Sequence, residues 1–62
     1  MPIIQVHLLE GRTVEQKRKL VSQVTEAVVK SLDVPPDAVR IILDEMAKRD
    51  YAVAGVLLEY QK

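Results

Sequence analysis

Pro2, Arg12 and Arg40 are the residues of this 62-residue chain whose types and positions could carry chemistry. While Met1 is attached, the Pro2 nitrogen is a tertiary amide, which has no hydrogen and essentially no basicity. Removal of Met1, which the small second residue favours, would convert that nitrogen into a secondary amine on a rigid ring. We therefore expect Met1 to be removed, and the free Pro2 amine could then serve as a general base, a role that needs no metal and no other cofactor. Many proteins begin Met-Pro, however, and by itself Pro2 is more simply interpreted as the start of an edge strand.

The two arginines could hold negatively charged groups. Arg40 lies within the apolar run Val39–Leu43, where a permanent charge is costly unless it meets an anion or a carboxylate. A structural ion pair with Asp44 or Glu45 would satisfy it equally well, and Arg12 by itself resembles a solvated loop residue. Beside a free N-terminal amine, however, both guanidinium groups would lower the pKa of that amine from the ~8 of an ordinary α-amino group. A carboxylate-bearing small molecule is the substrate that such a group would suit.

Hydrophobic spacing predicts the elements that would position these residues. Pro2–Leu9 is rich in β-branched and aliphatic residues and predicts a strand. The residues expected on one face of this strand are Ile4, Val6 and Leu8. Thr13 and Gln16 form a capping-box pattern, which predicts the start of a helix. The apolar positions of this helix fall at helical spacing: Leu20, Val21, Val24, Ala27, Val28 and Leu32.

The second half of the chain predicts a strand and a hairpin. Asp33-Val34-Pro35-Pro36 should end the helix, because proline disfavours helical backbone before it and lacks a donor. Val39–Leu43 predicts a second strand, either covered on both faces or lying at an interface. The order strand, helix, strand implies a right-handed β-α-β unit with parallel strands. The apolar tail from Tyr51 to Leu58 predicts a hairpin that packs on a neighbouring subunit, so the fold class is α/β.

Chain length and composition favour self-association of a single domain covering residues 1–62. A chain this short buries only ~60% of the surface that its unfolded form exposes, so its own core is marginal. Small domains of this kind usually rely on disulfides, a metal or oligomerisation. The sequence has no Cys and one His, which excludes disulfides and thiolate metal sites. Oligomerisation is therefore expected.

The charge balance and the N-terminus argue against two kinds of partner. Nine basic and nine acidic residues leave no net charge, whereas a general nucleic-acid-binding protein needs a basic footprint. The N-terminus has no basic segment followed by an apolar stretch, and no apolar run approaches the ~20 residues of a membrane span. We therefore expect neither a nucleic-acid nor a membrane partner, and a cytoplasmic location.

Long stretches of the chain resemble one known family. With Met1 removed, the segment Pro-Ile-Ile-Gln-Val-His-Leu-Leu-Glu-Gly-Arg-Thr-Val-Glu-Gln-Lys resembles the start of 4-oxalocrotonate tautomerases, including a His-x-Leu-Glu-Gly-Arg motif. The rest of the chain agrees at family spacing in four places: Ser31–Pro35, Val39–Ile42, Glu45–Lys48 and Gly55. The resemblance covers nearly the whole chain without gaps and is highly specific.

This resemblance implies a reaction and an assembly. It implies a β-α-β protomer assembled as a homohexamer, with active sites at subunit boundaries. Pro2 would be the base, Arg12 and Arg40 would hold the substrate's carboxylate and carbonyl groups, and Leu9 would line the pocket. Tyr51 stands where the family's site Phe lies and would also contact the substrate. The expected reaction interconverts the dienol and unsaturated keto forms of 2-hydroxydienoates such as 2-hydroxymuconate.

Two alternative functions are weighed against this one. A relative that hydrates or dehalogenates a 3-haloacrylate needs an added group to activate water, usually a carboxylate beyond the aromatic position, and Tyr51–Gly55 offers none. A non-catalytic oligomeric binding module would be indicated by loss of Pro2 or of either arginine, and all three are present. In the segment Ala52-Val53-Ala54-Gly55 the chain also departs from the more Gly-rich turn of the family's type member, which bears on substrate range.

The remaining polar residues are interpreted as structural. His7, in the middle of the first predicted strand, has no carboxylate or second ligand at a useful spacing in the sequence, so we interpret it as a packed histidine. The pairs Asp44-Glu45 and Arg49-Asp50 predict a solvated turn, in which one carboxylate could pair with an arginine.

Overall fold

The chain folds as a β-α-β unit followed by a short hairpin. A computed structural model describes residues 1–60. The helix and strands are β1 (Ile3–Leu9), α1 (Val14–Leu32), β2 (Arg40–Met46), β3 (Ala52–Val53) and β4 (Val56–Leu57). Short 3-10 segments span Pro36–Ala38, Lys48–Asp50 and Leu58–Tyr60. The predicted α/β class and order of elements are confirmed.

β1 and β2 form a parallel two-stranded sheet, as predicted. The register runs from Ile3 opposite Arg40 to Leu9 opposite Met46. β2 is longer than the predicted strand at its carboxyl end, because pairing with β1 continues through polar residues beyond Leu43. A parallel pair needs a crossover connection, and α1 supplies it.

α1 begins and ends where the sequence predicts. The Thr13 side chain accepts a hydrogen bond from the Gln16 backbone N–H (3.1 Å), and the Gln16 side chain accepts one from the Thr13 backbone N–H (3.0 Å). Asp33 ends the helix in the left-handed conformation, with φ 56°, and its N–H donates to the Val29 carbonyl. Within residues 1–60, no helix has both the length and the apolar character needed to cross a membrane.

One face of the β1–β2 sheet is covered by α1. The side chains that meet there alternate along each strand and recur at helical spacing: Ile4, Val6, Leu8, Leu20, Val21, Val24, Val28, Ile41 and Leu43. Ala27 and Leu32, predicted to belong to the same apolar face of the helix, are exposed instead. Even the covered residues are only half-buried, and none of the described residues is fully buried. The protomer therefore has an incomplete core.

The opposite face of the sheet, called here the open face, is exposed. It consists of Ile3, Gln5 and His7 from β1 and Arg40, Ile42 and Asp44 from β2. Within one protomer, β2 is therefore not covered on both faces, which was one of the two predicted possibilities. An interface on this face, the other possibility, stays a prediction.

β3 and β4 form the predicted hairpin. They pair antiparallel, with Ala52 opposite Leu57 and Val53 opposite Val56. Ala54 and Gly55 connect them with φ of 55° and 81°, and positive φ at both central residues is the signature of a tight type I′ turn. The apolar side chains of both strands are exposed, so packing against a neighbour remains a prediction.

Candidate active site

The predicted site residues lie at two ends of the β1–β2 sheet. Because the strands are parallel, Pro2 and Arg40 lie together at the end where both strands begin, called here the amino end. Leu9 and Arg12 lie at the other, carboxyl end, and Tyr51 follows β2 on that side. β1 has seven residues, which at roughly 3.3 Å each separate the two ends by about 20 Å.

At the amino end, Pro2 and Arg40 are neighbours through their main chains. The Arg40 backbone N–H donates to the Pro2 carbonyl at 3.0 Å. Pro2 is half-buried, as Ile4 is, whereas Arg40 alternates with half-buried Ile41 and lies on the open face. The Arg40 side chain therefore leaves the sheet on the face opposite to the Pro2 ring.

At the carboxyl end, a groove of about 290 Å³ opens beside Arg12. Its lining residues come from β1, from the loop after it and from the first turns of α1: Leu8, Arg12, Gln16, Lys17 and Leu20. The capping box brings Gln16 and Lys17 to this position, because it fixes where the helix starts. The groove combines aliphatic side chains with cations, which suits an anion that has an apolar body.

Arg12 is the cation of this groove that has no ion-pair partner among the described residues. The Gln16 side-chain oxygen accepts a hydrogen bond in the helix cap, and the Lys17 ammonium is paired with the Glu45 carboxylate. Arg12 forms no ion pair with any residue in the described part of the chain, and its side chain is exposed. Its guanidinium is therefore free to bind a carboxylate, for which its planar fork is well suited.

Arg40 is also without the structural partner that the sequence allowed. Asp44 pairs with His7, and Glu45 pairs with Lys17, so neither carboxylate neutralises Arg40. Asp44 and Glu45 lie inside β2, so the prediction that they belong to a solvated turn is wrong. Arg49 and Asp50 are exposed in the short 3-10 segment.

Within one protomer, His7 is not packed as the sequence suggested. Its side chain is 57% exposed on the open face, and Nδ1 lies 3.0 Å from Oδ2 of Asp44. The two residues are directly opposite each other in the parallel register. Proximity in sequence gave no sign of this partner, because only the pairing of β1 with β2 brings the two side chains together.

Leu9 and Tyr51 are at the carboxyl end but do not line the groove. Leu8 lines it instead, since successive strand residues point to opposite faces. Tyr51 is exposed, and its backbone carbonyl accepts a hydrogen bond from Leu58 N–H. The sequence pointed to Arg12 but missed Gln16, Lys17 and Leu20, whose helical spacing places them on one side of the first turns of α1.

Sequence comparison connects this chain with tautomerases. The family described as tautomerase enzyme matches residues 2–61. A 2-hydroxymuconate tautomerase of Pseudomonas putida is 51% identical over 57 residues, which cover 92% of this chain and 90% of that protein.

Solved structures agree with this result. A 4-oxalocrotonate tautomerase isozyme from Methylibium petroleiphilum superposes with a TM-score of 0.91 at 57% identity, covering 94% of this chain and 91% of that one. A heterohexameric 4-oxalocrotonate tautomerase from Chloroflexus aurantiacus J-10-fl superposes with a TM-score of 0.94 at 31% identity, covering all of both chains.

Proposed function

Because the chain belongs to the tautomerase enzyme family, we propose that it is an isomerase acting on 2-hydroxydienoates such as 2-hydroxymuconate. The reaction interconverts the dienol and unsaturated keto forms, with Pro2 as general base. The observation that carries the proposal is that Arg12 and Arg40 are unpaired within residues 1–60, while Asp44 and Glu45, the carboxylates that the sequence offered to Arg40, are paired with His7 and Lys17. Similarity to a 2-hydroxymuconate tautomerase supports the choice of substrate.

Each site would be formed by the amino end of the sheet of one protomer and the carboxyl end of the sheet of another. A substrate touching Pro2 cannot also reach Arg12 of the same chain, since about 20 Å of strand lies between them. Arg40 of the same chain leaves the sheet on the other face. Neighbouring subunits would therefore supply the guanidinium groups that meet a given Pro2, and Leu9 and Tyr51 would enter the site from the carboxyl end of a neighbour.

Proton transfer would then proceed without a covalent intermediate. The Pro2 amine takes the proton from the dienol hydroxyl, and the negative charge spreads over the conjugated system. Arg40, aimed at the carbonyl oxygen, stabilises this charge. The protonated amine returns the proton to a carbon further along the chain, which yields the unsaturated ketone. Guanidinium groups supplied by neighbouring subunits would disfavour the charged form of the amine and so favour its action as a base.

Removal of Met1 is part of this proposal. Only the processed chain carries a basic Pro2 nitrogen, and the family match begins at Pro2. Intact-mass measurement on natively expressed protein would establish the processed fraction.

A homohexamer is the proposed assembly. The absence of a fully buried residue within residues 1–60 and the exposed isoleucines of the open face both favour further association. The 4-oxalocrotonate tautomerase from Chloroflexus aurantiacus J-10-fl is a heterohexamer, which supports an assembly of six subunits. Sedimentation of the native protein tests the assembly, and an active monomer at low concentration would contradict shared sites.

The decisive experiment compares processed protein, protein retaining Met1 and Pro2→Ala under identical conditions. Steady-state turnover of 2-hydroxymuconate should be high only in the processed form, and Pro2→Ala should lose most activity while keeping the assembly. Equal activity in a preparation that fully retains Met1 would exclude Pro2 as the base. A processed oligomer that binds the substrate without turning it over would indicate a non-catalytic module.

A further inference from the structure

The groove beside Arg12 contains a second cation, Lys17, whose charge is masked. Lys17 lies in the first turns of α1, and its ammonium is paired with Glu45 of β2. Their side chains are 26% and 38% exposed, so the pair is partly withdrawn from water. Glu45 is also opposite Leu8 in the strand register, which places its backbone directly beside the apolar lining of the groove.

Some polar groups of the groove already have partners within the protein, and others remain free to bind a ligand. Gln16 is held by the helix cap. Lys17 and Glu45 together contribute no net charge, and among the described residues neither has another ion-pair partner. Arg12 alone is left with an uncompensated charge facing the groove.

We propose that Glu45 determines substrate specificity: by holding Lys17 in an ion pair, it limits the groove to a single free cation, Arg12. This inference rests on the proposed function, in which Arg12 binds the distal carboxylate of the substrate. One free guanidinium matches one carboxylate group. Without the Glu45 charge, the groove would carry two uncompensated cations and favour anions of higher charge.

Charge-changing variants of the pair separate this role from a structural one. Glu45→Gln keeps a hydrogen-bond acceptor near Lys17 but unmasks its charge, so KM for a dicarboxylate should fall, by about two- to fivefold if the gain matches that of a partly exposed ion pair. Lys17→Met removes the cation that neutralises the Glu45 carboxylate, which then opposes binding of an anion in the groove, so KM should rise. The double variant should have a KM between those of the two single variants.

A further background and a matched control sharpen the comparison. In an Arg12→Ala background, Glu45→Gln should recover part of the lost affinity, because Lys17 then offers a replacement cation. The gain should disappear in about 1 M salt, where the Debye length is ~3 Å. Glu45→Asp is the matched control: it keeps the charge and shortens the side chain, so it should not reproduce the tighter binding.

Titration with adipate, an unreactive six-carbon dicarboxylate, keeps this inference separate from the proposed reaction. Opposite shifts in adipate affinity for Glu45→Gln and Lys17→Met would support the inference even if the protein failed to turn over 2-hydroxymuconate. Shifts in the same direction, or equal effects of Glu45→Gln and Glu45→Asp, would overturn it and leave the proposed function standing. Thermal unfolding and sedimentation of each variant would confirm that only assembled protein is compared.

Discussion

At the scale of single residues, Arg12 and Arg40 carry the same functional group but occupy different positions. Both guanidinium groups are unpaired within the described residues, yet they lie at opposite ends of β1 and β2. In the proposed reaction, negative charge develops on the carbonyl oxygen only as the dienolate forms, whereas the distal carboxylate is charged throughout. Kinetics should therefore distinguish the two arginines.

Arg40→Ala should lower kcat. A donor at the carbonyl oxygen gains strength as the dienolate forms, and its removal should cost on the order of 10²- to 10³-fold, as for other oxyanion donors. Steady-state kinetics on 2-hydroxymuconate, with sedimentation as the control for assembly, would measure this loss. An Arg40→Ala enzyme with unchanged kcat would show that another group stabilises the developing charge.

Arg12→Ala should act chiefly through KM. Its proposed carboxylate contact is the same in the ground state and in the transition state, so its removal weakens binding without slowing the chemical step. A 2-hydroxydienoate with one carboxylate should be less sensitive to this substitution than one with two. Equal losses of kcat in both arginine variants, whatever the substrate, would mean that the assigned roles are wrong.

At the scale of elements, the start of α1 fixes one side of the groove. Thr13→Ala removes the hydroxyl that caps the Gln16 N–H, and such a loss typically costs about 1 kcal/mol of folding stability. Denaturant unfolding at fixed protein concentration would measure the change. Thr13→Ser retains a hydroxyl and should keep most of the stability, and an equal loss in both variants would rule out the cap as the cause.

The elements that the sequence predicted well are those with local signals. The capping box, the prolines after α1 and the hairpin all depend on residues close together in the chain, and all are found where predicted. The length of β2 was underestimated, since Asp44 and Glu45 are polar and only their partners on other elements explain their place in a strand.

The contacts that the sequence could not predict depend on register and packing. His7 meets Asp44 because β1 and β2 pair in one particular parallel register. Lys17 contacts Glu45 because α1 packs on the sheet at one particular position along the strands. The same register brings Arg40 beside Pro2, which the sequence could not show, whereas the separation of Pro2 from Arg12 follows from the length of the predicted first strand.

At the scale of the whole molecule, the stability contributed by the open face depends on whether the protomer exists alone or in an assembly. In an isolated protomer the His7–Asp44 pair is largely solvated, and such pairs contribute only about 0–1 kcal/mol. If a neighbouring subunit covers this face, removal of one partner leaves an uncompensated buried group, which costs about 3–5 kcal/mol.

We therefore expect Asp44→Ala to destabilise the assembly by about 3 kcal/mol in urea unfolding at fixed protein concentration. Glu26→Ala is the matched control, since it also removes one carboxylate from an ion pair, the exposed pair with Lys30 on α1. Its cost should be about 0.5 kcal/mol or less. Similar small losses in the two variants would indicate that the open face stays in water.

If Pro2 and Arg12 act in one site, the distance between them along β1 requires two chains to build that site, so activity would depend on which chains are assembled together. If Pro2→Ala and Arg12→Ala chains are unfolded together and reassembled at equal ratio, about a quarter of the sites should draw an intact base from one parent and an intact arginine from the other. At substrate concentrations far below KM, where both parents are slow, the mixed assemblies should recover roughly that fraction of wild-type turnover. Two damaged genes could thus complement each other in one cell, whereas an enzyme with its site inside a single chain would show only the average of its parents.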